Sequence, residues 1–374
     1  MLLEMTQCNK GLNLSTMTLD LSVILTESIR WVARHQITLL YLACAFLGFA
    51  GGWLISELPF RERLLDYPRD RSSHDVPTPQ GGGVGILAAF LVAGMTLRIP
   101  TTFLFTAIVV SAVSLYGDYA RLSASFRLVV QCVAAVIVLF PLLPHLLLKF
   151  ELATVGGAFP VLFFLIVIMI VLFVVGTANF YNFMDGIDGI AGVSGVISFG
   201  LLGCYTLYFV PLGADKEAFS LLAICFALAC LGFLPFNMPR AKVFMGDVGS
   251  ILLGFVFAVL VLMLSRSYRD MICFAALLFP FYADVVTTMC VRLRAGENLL
   301  KPHRRHLYQL LANECAMDHW KVTVIYGFVQ LMIGLGVLAA SAVGMHIVVT
   351  LLIMSCIVFT LTSYRVRSTI NRRR

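Results

Sequence analysis

The sequence predicts an all-α polytopic membrane protein on three observations. Of its 374 residues 60% are hydrophobic and only 13% charged, and its mean hydropathy is +0.93. Apolar stretches long enough to cross a bilayer, about 20 residues each, recur along nearly the whole chain. Such a composition excludes a soluble globular domain. Backbone groups in hydrocarbon need internal partners, so closed helices are the default, and runs of this length are not barrel strands.

Spans are expected near 37–56, 82–97, 101–117, 128–148, 160–178, 190–211, 218–236, 250–265, 271–291, 322–342 and 346–363. The total is eleven, or ten if the short, glycine-rich second span is miscounted. The chain then divides into an N-terminal extension, 1–36, a transmembrane domain, 37–363, and a basic tail, 364–374. The extension suits an interfacial helix around Leu21–Arg34, with Met5 and Met17 as alternative starts. The ten cysteines form no C-x-x-C pair, so neither a disulfide framework nor a zinc site follows. Neither an internal repeat nor a low-complexity segment is evident.

With an odd number of spans the termini lie on opposite sides. One set of connections holds 19 of the 27 Lys and Arg residues. The positive-inside rule makes that set cytoplasmic, with the C-terminus inside and the N-terminus outside. The formal charge of +7 is spread over short loops and a tail beside membrane spans. Topology and lipid head groups account for it, and no nucleic-acid partner is called for.

Five polar segments fall on that same side: 66–83, 116–127, 178–189, 236–250 and 293–309. This asymmetry predicts a cytoplasmic-face active site, whereas a transporter should place polar groups and broken helices near the midplane. In N-x-x-N-x-x-D-G-x-D-G, Asn179 to Gly189, Asp185 and Asp188 are three apart and share a face if the stretch is helical. Amide and carboxylate oxygens beside glycines suit Mg²⁺, which takes one or two carboxylates and completes its shell with water and phosphates. The plain alternative is a solvated helix cap. Asp247, in FMGDVGS, is either an N-terminal cap or a second metal carboxylate at a helix start able to bind pyrophosphate. Asp118 sits at the inner end of the third span.

The cluster His303, Arg304, Arg305 and His306 has arginines that pair phosphate bidentately and histidines able to donate to it. His74, with Arg69, Arg71, Ser72 and Ser73, adds head-group contacts or belongs to a solvated loop. The glycine triplet of PTPQGGG is either a phosphate approach or a helix-entry turn. Asp284, inside the ninth span, is costly in lipid and must face protein, as a functional group or a packed polar partner.

In order and wording these motifs resemble the polyprenyl-phosphate N-acetylhexosamine-1-phosphate transferases, the MraY/WecA family of glycosyltransferase 4, from about Asp66 to Gln309. NFYNFMDGIDG and KVFMGDVGS carry the likeness most strongly. RSSH-x-x-PTP-x-GGG together with HRRHLYQ is closer in wording to the WbpL-type branch. The resemblance implies transfer of a sugar 1-phosphate, an N-acetylhexosamine or its 6-deoxy form, from a UDP-sugar to undecaprenyl or another polyprenyl phosphate. UMP is released, and O-antigen, surface-polysaccharide or cell-envelope glycan synthesis begins in a bacterial inner membrane.

Residue by residue, the resemblance implies metal ligation by Asp247 and Asn182, with Mg²⁺, or Mn²⁺, as cofactor. It assigns catalytic roles to Asp118, Asp185 and Asp188; contacts with the UDP-N-acetyl sugar are expected from Asn179, His74, Arg304, Arg305 and His306. Membrane lipid is the other partner, and a homodimer is permitted. The chain departs from the family pattern where an Asp-Asp pair reads Gly117-Asp118, where a Lys reads Ser125 with Arg127 two residues on, and where further histidines read Tyr308 and Gln309. The alternatives are a lipid-linked-sugar or solute transporter and a catalytically weakened scaffold homologue.

Overall fold

The computed structural model describes residues 14–57, 64–68, 73, 75–120, 122–142, 159–211, 213–298 and 303–373. His74 lies outside them, as does the side chain of Asp118. The chain clusters into two compact units, 1–42 and 43–374. What is described of the first is helix from Leu14 onward, the start of α1, Leu14–Glu57. The second holds the rest of the fold.

After α1 come a two-residue antiparallel pair, β1 (Leu65–Asp66) with β2 (Thr78–Pro79), then α2 (Gly83–Thr96), α3 (Thr101–Ala120) and α4 (Ala124–Leu139). They are followed by α5 (Phe159–Phe183), α6 (Ile190–Phe209), α7 (Ala214–Asn237) and α8 (Asp247–Leu264). Next is α9, Tyr268–Arg294, interrupted by a 3₁₀ turn at Ala276–Leu278. A short α10 (Leu307–Gln309), α11 (His319–Val343) and α12 (Met345–Arg373) complete the chain. Among the described helices eight are long and apolar enough to cross a membrane, and α2, α3 and α4 are shorter apolar ones. The chain is an all-α, multi-pass membrane protein.

Helix α8 forms the centre of the second unit. Every residue from Val248 to Leu264 is buried, and the helix packs on α5, α3 and α2. Uniform apolarity fits that place, because a helix buried on all sides needs no polar stripe. Close backbone contacts position it. A Cβ at Gly254 would fall 2.6 Å from the Cα of Ala178 on α5, and one at Gly83 would fall 2.4 Å from the Cα of Gly249. The later part of α1 meets α7 in the same manner, with a Cβ at Gly48 only 2.0 Å from the Ala229 carbonyl oxygen. Without a hydrophobic force between helices in lipid, such small-residue contacts are where dispersion holds helices together. Edge-to-face rings link Phe103 to Phe90 and Phe90 to Phe226 across α3, α2 and α7.

One expectation changes. The stretch containing Asp185 and Asp188 does not enter α6 as a helix, for α5 ends at Phe183 and α6 begins at Ile190. Gly189, at φ +80°, is in the left-handed region that a side chain would disfavour, so the chain turns here, and the two carboxylates share no helical face. Residues 364–373 continue α12 as helix.

Candidate active site at the helix ends

All five polar segments are tied to one another, largely through backbone groups. Gln80 and Phe244 form a parallel bridge. The N–H groups of Gly81 and Gly82 donate to the Phe244 carbonyl at 3.1 and 3.0 Å, and that of Gly83 to Met245 at 3.0 Å. The glycine triplet is therefore a packing device. Its donors hold the loop before α8, and they do not point at a phosphate. Asn237, 3% exposed, joins two motifs by accepting from Gly189 N–H at 3.0 Å and donating to the Val243 carbonyl at 2.9 Å.

This scaffold sets Asp247 as the first residue of α8, with Gly246 at the cap position. A carboxylate there is favoured by the positive end of the helix dipole. Its Oδ1 accepts from Asn182 Nδ2 on α5 at 2.7 Å, and its Oδ2 from the guanidinium of Arg127 on α4. Asn182 also reaches Ser250 Oγ at 3.0 Å. The pair Arg127–Asp247 keeps 28% and 24% of its side-chain surface exposed, so the cluster opens to the outside. Ser123 caps α4 by accepting from Phe126 N–H at 3.2 Å, which fixes the turn that presents Arg127. A Cβ at Gly117 would lie 3.1 Å from Arg127 Cδ, so that position faces the arginine stem. Asn179, one turn before Asn182, donates to Gln131 Oε1 at 2.6 Å and to the Val175 carbonyl at 2.8 Å, tying α5 to α4.

The donor set fits a hard cation. Asp247 supplies a carboxylate, Ser250 a hydroxyl and Asn182 an amide whose oxygen faces Asp247 after a flip, a choice set by the hydrogen-bond network. Among the described residues no three His, Cys, Asp or Glu side chains gather.

The two carboxylates of the α5–α6 turn diverge. Asp188 Oδ2 lies 3.2 Å from Nδ1 of His319, at the start of α11, and its backbone carbonyl accepts from Thr323 at 2.7 Å. His319 is the residue that the sequence reading missed. It sits 131 positions from Asp188, with no local pattern to mark it. Asp185 acts electrostatically on Tyr308, whose hydroxyl donates to the Phe183 carbonyl at 2.9 Å. Burial first, then Asp284 and Asp185, pushes the Tyr308 phenol well above its ordinary range and keeps it a donor.

The basic loop, from which Arg304, Arg305 and His306 are expected at the substrate, has both buried and exposed members. His306 is 3% exposed, with Nδ1 at 3.4 Å from Asp284 Oδ1, an ion-pair distance without a formed hydrogen bond. Arg305 pairs with Glu297, which also holds Arg292 at 3.2 Å. Burial, His306 and nearby arginines push His303 down to about 4, so it is neutral near pH 7 and accepts from Arg305 N–H at 3.3 Å. Arg304 and Arg305 are the exposed members of the HRRH cluster. One further contact, from just beyond the last segment, is Asn313 donating to Ser73 Oγ at 3.1 Å, which brings Ser73 to the turn after α10.

The model of glycosyl transferase family 4 matches residues 100–265, the span holding Asp118, Arg127, Asn182, Asp185, Asp188 and Asp247. A decaprenyl-phosphate N-acetylglucosaminephosphotransferase of Mycobacterium leprae is 26% identical over 351 residues, covering 83% of this chain and 84% of that protein. A probable undecaprenyl-phosphate N-acetylglucosaminyl 1-phosphate transferase of Bacillus subtilis is 26% identical over 296 residues, 74% of this chain and 78% of its own. A phospho-N-acetylmuramoyl-pentapeptide-transferase of Staphylococcus epidermidis is 33% identical over 128 residues, 32% of this chain and 36% of its own.

Proposed function

We propose that the chain, matched over residues 100–265 by the model of glycosyl transferase family 4, acts as a member of that family: it transfers a sugar 1-phosphate from a UDP-N-acetyl sugar to a polyprenyl phosphate and releases UMP. The observation that carries this reading is the meeting of Asp247, Asn182 and Arg127 from α8, α5 and α4 at one open cluster beside the D-G-I-D turn. Oxygen ligands and a guanidinium side by side are what a reaction between two phosphates needs. The oxygen of the acceptor phosphate attacks the β-phosphorus of the UDP-sugar, and the bond to the UMP oxygen breaks with its electron pair leaving on UMP. A phosphate monoester is already substantially ionised near neutrality, its second pKa being about 6, so no general base is demanded. Catalysis is then mainly positioning and charge neutralisation.

Asp247, with Asn182 and Ser250, would hold Mg²⁺, which supplies neutralisation of the diphosphate charge. Asp118, at the end of α3, orients the acceptor phosphate, and Arg127 pairs with it. Asp185 and Asp188 organise the uridine side, and Arg304 and Arg305 face the diphosphate. The site faces the cytosol of a bacterial inner membrane, with the product entering O-antigen or other envelope-glycan synthesis. Support for that sidedness comes from the excess of Lys and Arg on the site's side.

The experiment is UMP release by detergent-purified protein with undecaprenyl phosphate and a panel of UDP-N-acetyl sugars, with and without Mg²⁺. Lipid- and Mg²⁺-dependent release supports the reading, and the best donor names the sugar. Silence from every donor, with a relative active in parallel, would favour the scaffold alternative instead. A second expectation concerns Arg127. Replacing it by Ala should raise the acceptor KM roughly tenfold and leave the donor KM unchanged, the loss of one charge-assisted phosphate contact. An unchanged acceptor KM with an altered Mg²⁺ requirement would assign Arg127 to the cation side alone.

A further inference from the structure

An ionised carboxylate inside a membrane-spanning helix is tolerated only when protein groups replace its water. Asp284, on α9 and 0% exposed, has such a shell. Leu307 N–H donates to Oδ1 at 2.8 Å and Tyr308 N–H to Oδ2 at 3.2 Å. Tyr326 Oη adds 2.7 Å and Thr288 Oγ1 3.1 Å, and His306 stands beside them. Except for Thr288, these partners come from outside α9, and the two backbone donors are successive residues at the point where the basic loop turns into α10. The loop's return is therefore pinned to a charge in the span.

From there the contacts continue toward the other motif. The Tyr308 hydroxyl donates to the Phe183 carbonyl, and a Cβ at Gly186 would fall 2.2 Å from that hydroxyl, so the tyrosine fills the space against the D-G-I-D turn. Arg367 of α12 clamps the loop a second time, donating to the Arg305 carbonyl at 2.7 Å and to Thr288 at 3.1 Å. A side chain that only filled a polar hole in the span would have no reason to sit at one end of this path.

We propose that Asp284 is a positioning residue for the nucleotide-sugar donor: through the backbone of Leu307 and Tyr308 it holds the exposed Arg304 and Arg305 in register with the D-G-I-D turn. Tyr308 is the second member of this latch. The proposal rests on the transferase reading and extends it to residues that touch no substrate.

The test uses full-length protein in detergent, wild type beside Asp284→Asn, Tyr308→Phe and the double variant, with UDP-N-acetylglucosamine and undecaprenyl phosphate varied in turn. The Asn amide would set donors against the donors of Tyr308 and Tyr326, whereas the Phe ring keeps the packing and loses only the hydroxyl. Tyr308→Phe should raise the donor KM roughly fivefold and Asp284→Asn more than tenfold, with kcat within about threefold and the acceptor KM unchanged. The double variant should be no worse than Asp284→Asn, because the two act in one path. A fall in kcat with both KM values raised together, as from a loosened fold, would overturn the proposal, and so would kinetics equal to wild type. If Asp284→Asn does not accumulate folded, Tyr308→Phe decides alone. Should wild type itself release no UMP, the transferase reading fails, and calorimetric titration with UDP then judges the latch: binding by wild type weakened roughly fivefold in Tyr308→Phe upholds it, and equal or absent binding overturns it.

Discussion

Asp247→Ala is expected to reduce UMP release by roughly 10³-fold while the protein stays folded, a loss of the size seen when a group aimed at transition-state charge is removed. Three structural facts set that magnitude. The carboxylate is the first residue of a helix that is buried from Val248 onward, so its place does not adjust to a missing neighbour. Both of its oxygens are engaged, by Asn182 and Arg127, so one truncation releases two partners at once. And the pair with Arg127 is partly exposed, which limits the stability cost of leaving the guanidinium alone. Thermal unfolding of Asp247→Ala within a few degrees of wild type, alongside the lost turnover, is the expected combination. Residual activity above about a tenth of wild type would remove Asp247 from the centre of the chemistry.

The second large effect is expected far from any charge. Gly83→Ala should cost about 3 kcal/mol and with it most of the activity, because overpacking against fixed backbone has no cheap relaxation. Its Cβ would stand 2.4 Å from the Cα and 2.6 Å from the N of Gly249, with the Met245 carbonyl oxygen at 3.0 Å. Those atoms belong to the loop and first turn that carry Asp247, so any escape moves the carboxylate. The matched control is Gly176→Ala on α5, where a Cβ meets nothing within 4 Å. Melting temperature in detergent and UMP release should both fall for the first change and hold for the second. Equal behaviour of the two would show that the contact between α2 and α8 is softer than its geometry implies.

These two residues also mark what the sequence let one read. The apolar runs that define the spans are local properties, and the helices fall close to where those runs were. The composition of the site was legible as well, since N-x-x-N-x-x-D-G-x-D-G and F-M-G-D-V-G-S are dense in oxygen ligands and glycines. Direction was not legible. Whether the Gly81–Gly83 donors face a phosphate or the Phe244 and Met245 carbonyls depends on a segment more than 160 positions away. Arg127 meets Asp247 across 120 positions and Asp188 meets His319 across 131, so neither pairing leaves a periodicity or spacing behind. The inward turn of His306 likewise depends on Asp284, a residue whose cost in lipid was evident while its partners were not. Asp185 and Asp188 share no face because α5 stops at Phe183, and the left-handed Gly189 opens α6 only after both of them.

The burial of α8 bears on how such a protein looks from the lipid phase. A photoactivatable reagent dissolved in the bilayer labels what the acyl chains touch. It should mark α12 heavily, since only 6% of its apolar window is buried, and leave 248–264 nearly blank, since 94% of the α8 window is. A topology drawn from such labelling would count one span too few. The missing one would be the helix that begins with Asp247, and a lipid-borne inhibitor would be equally unable to approach that carboxylate along its own helix.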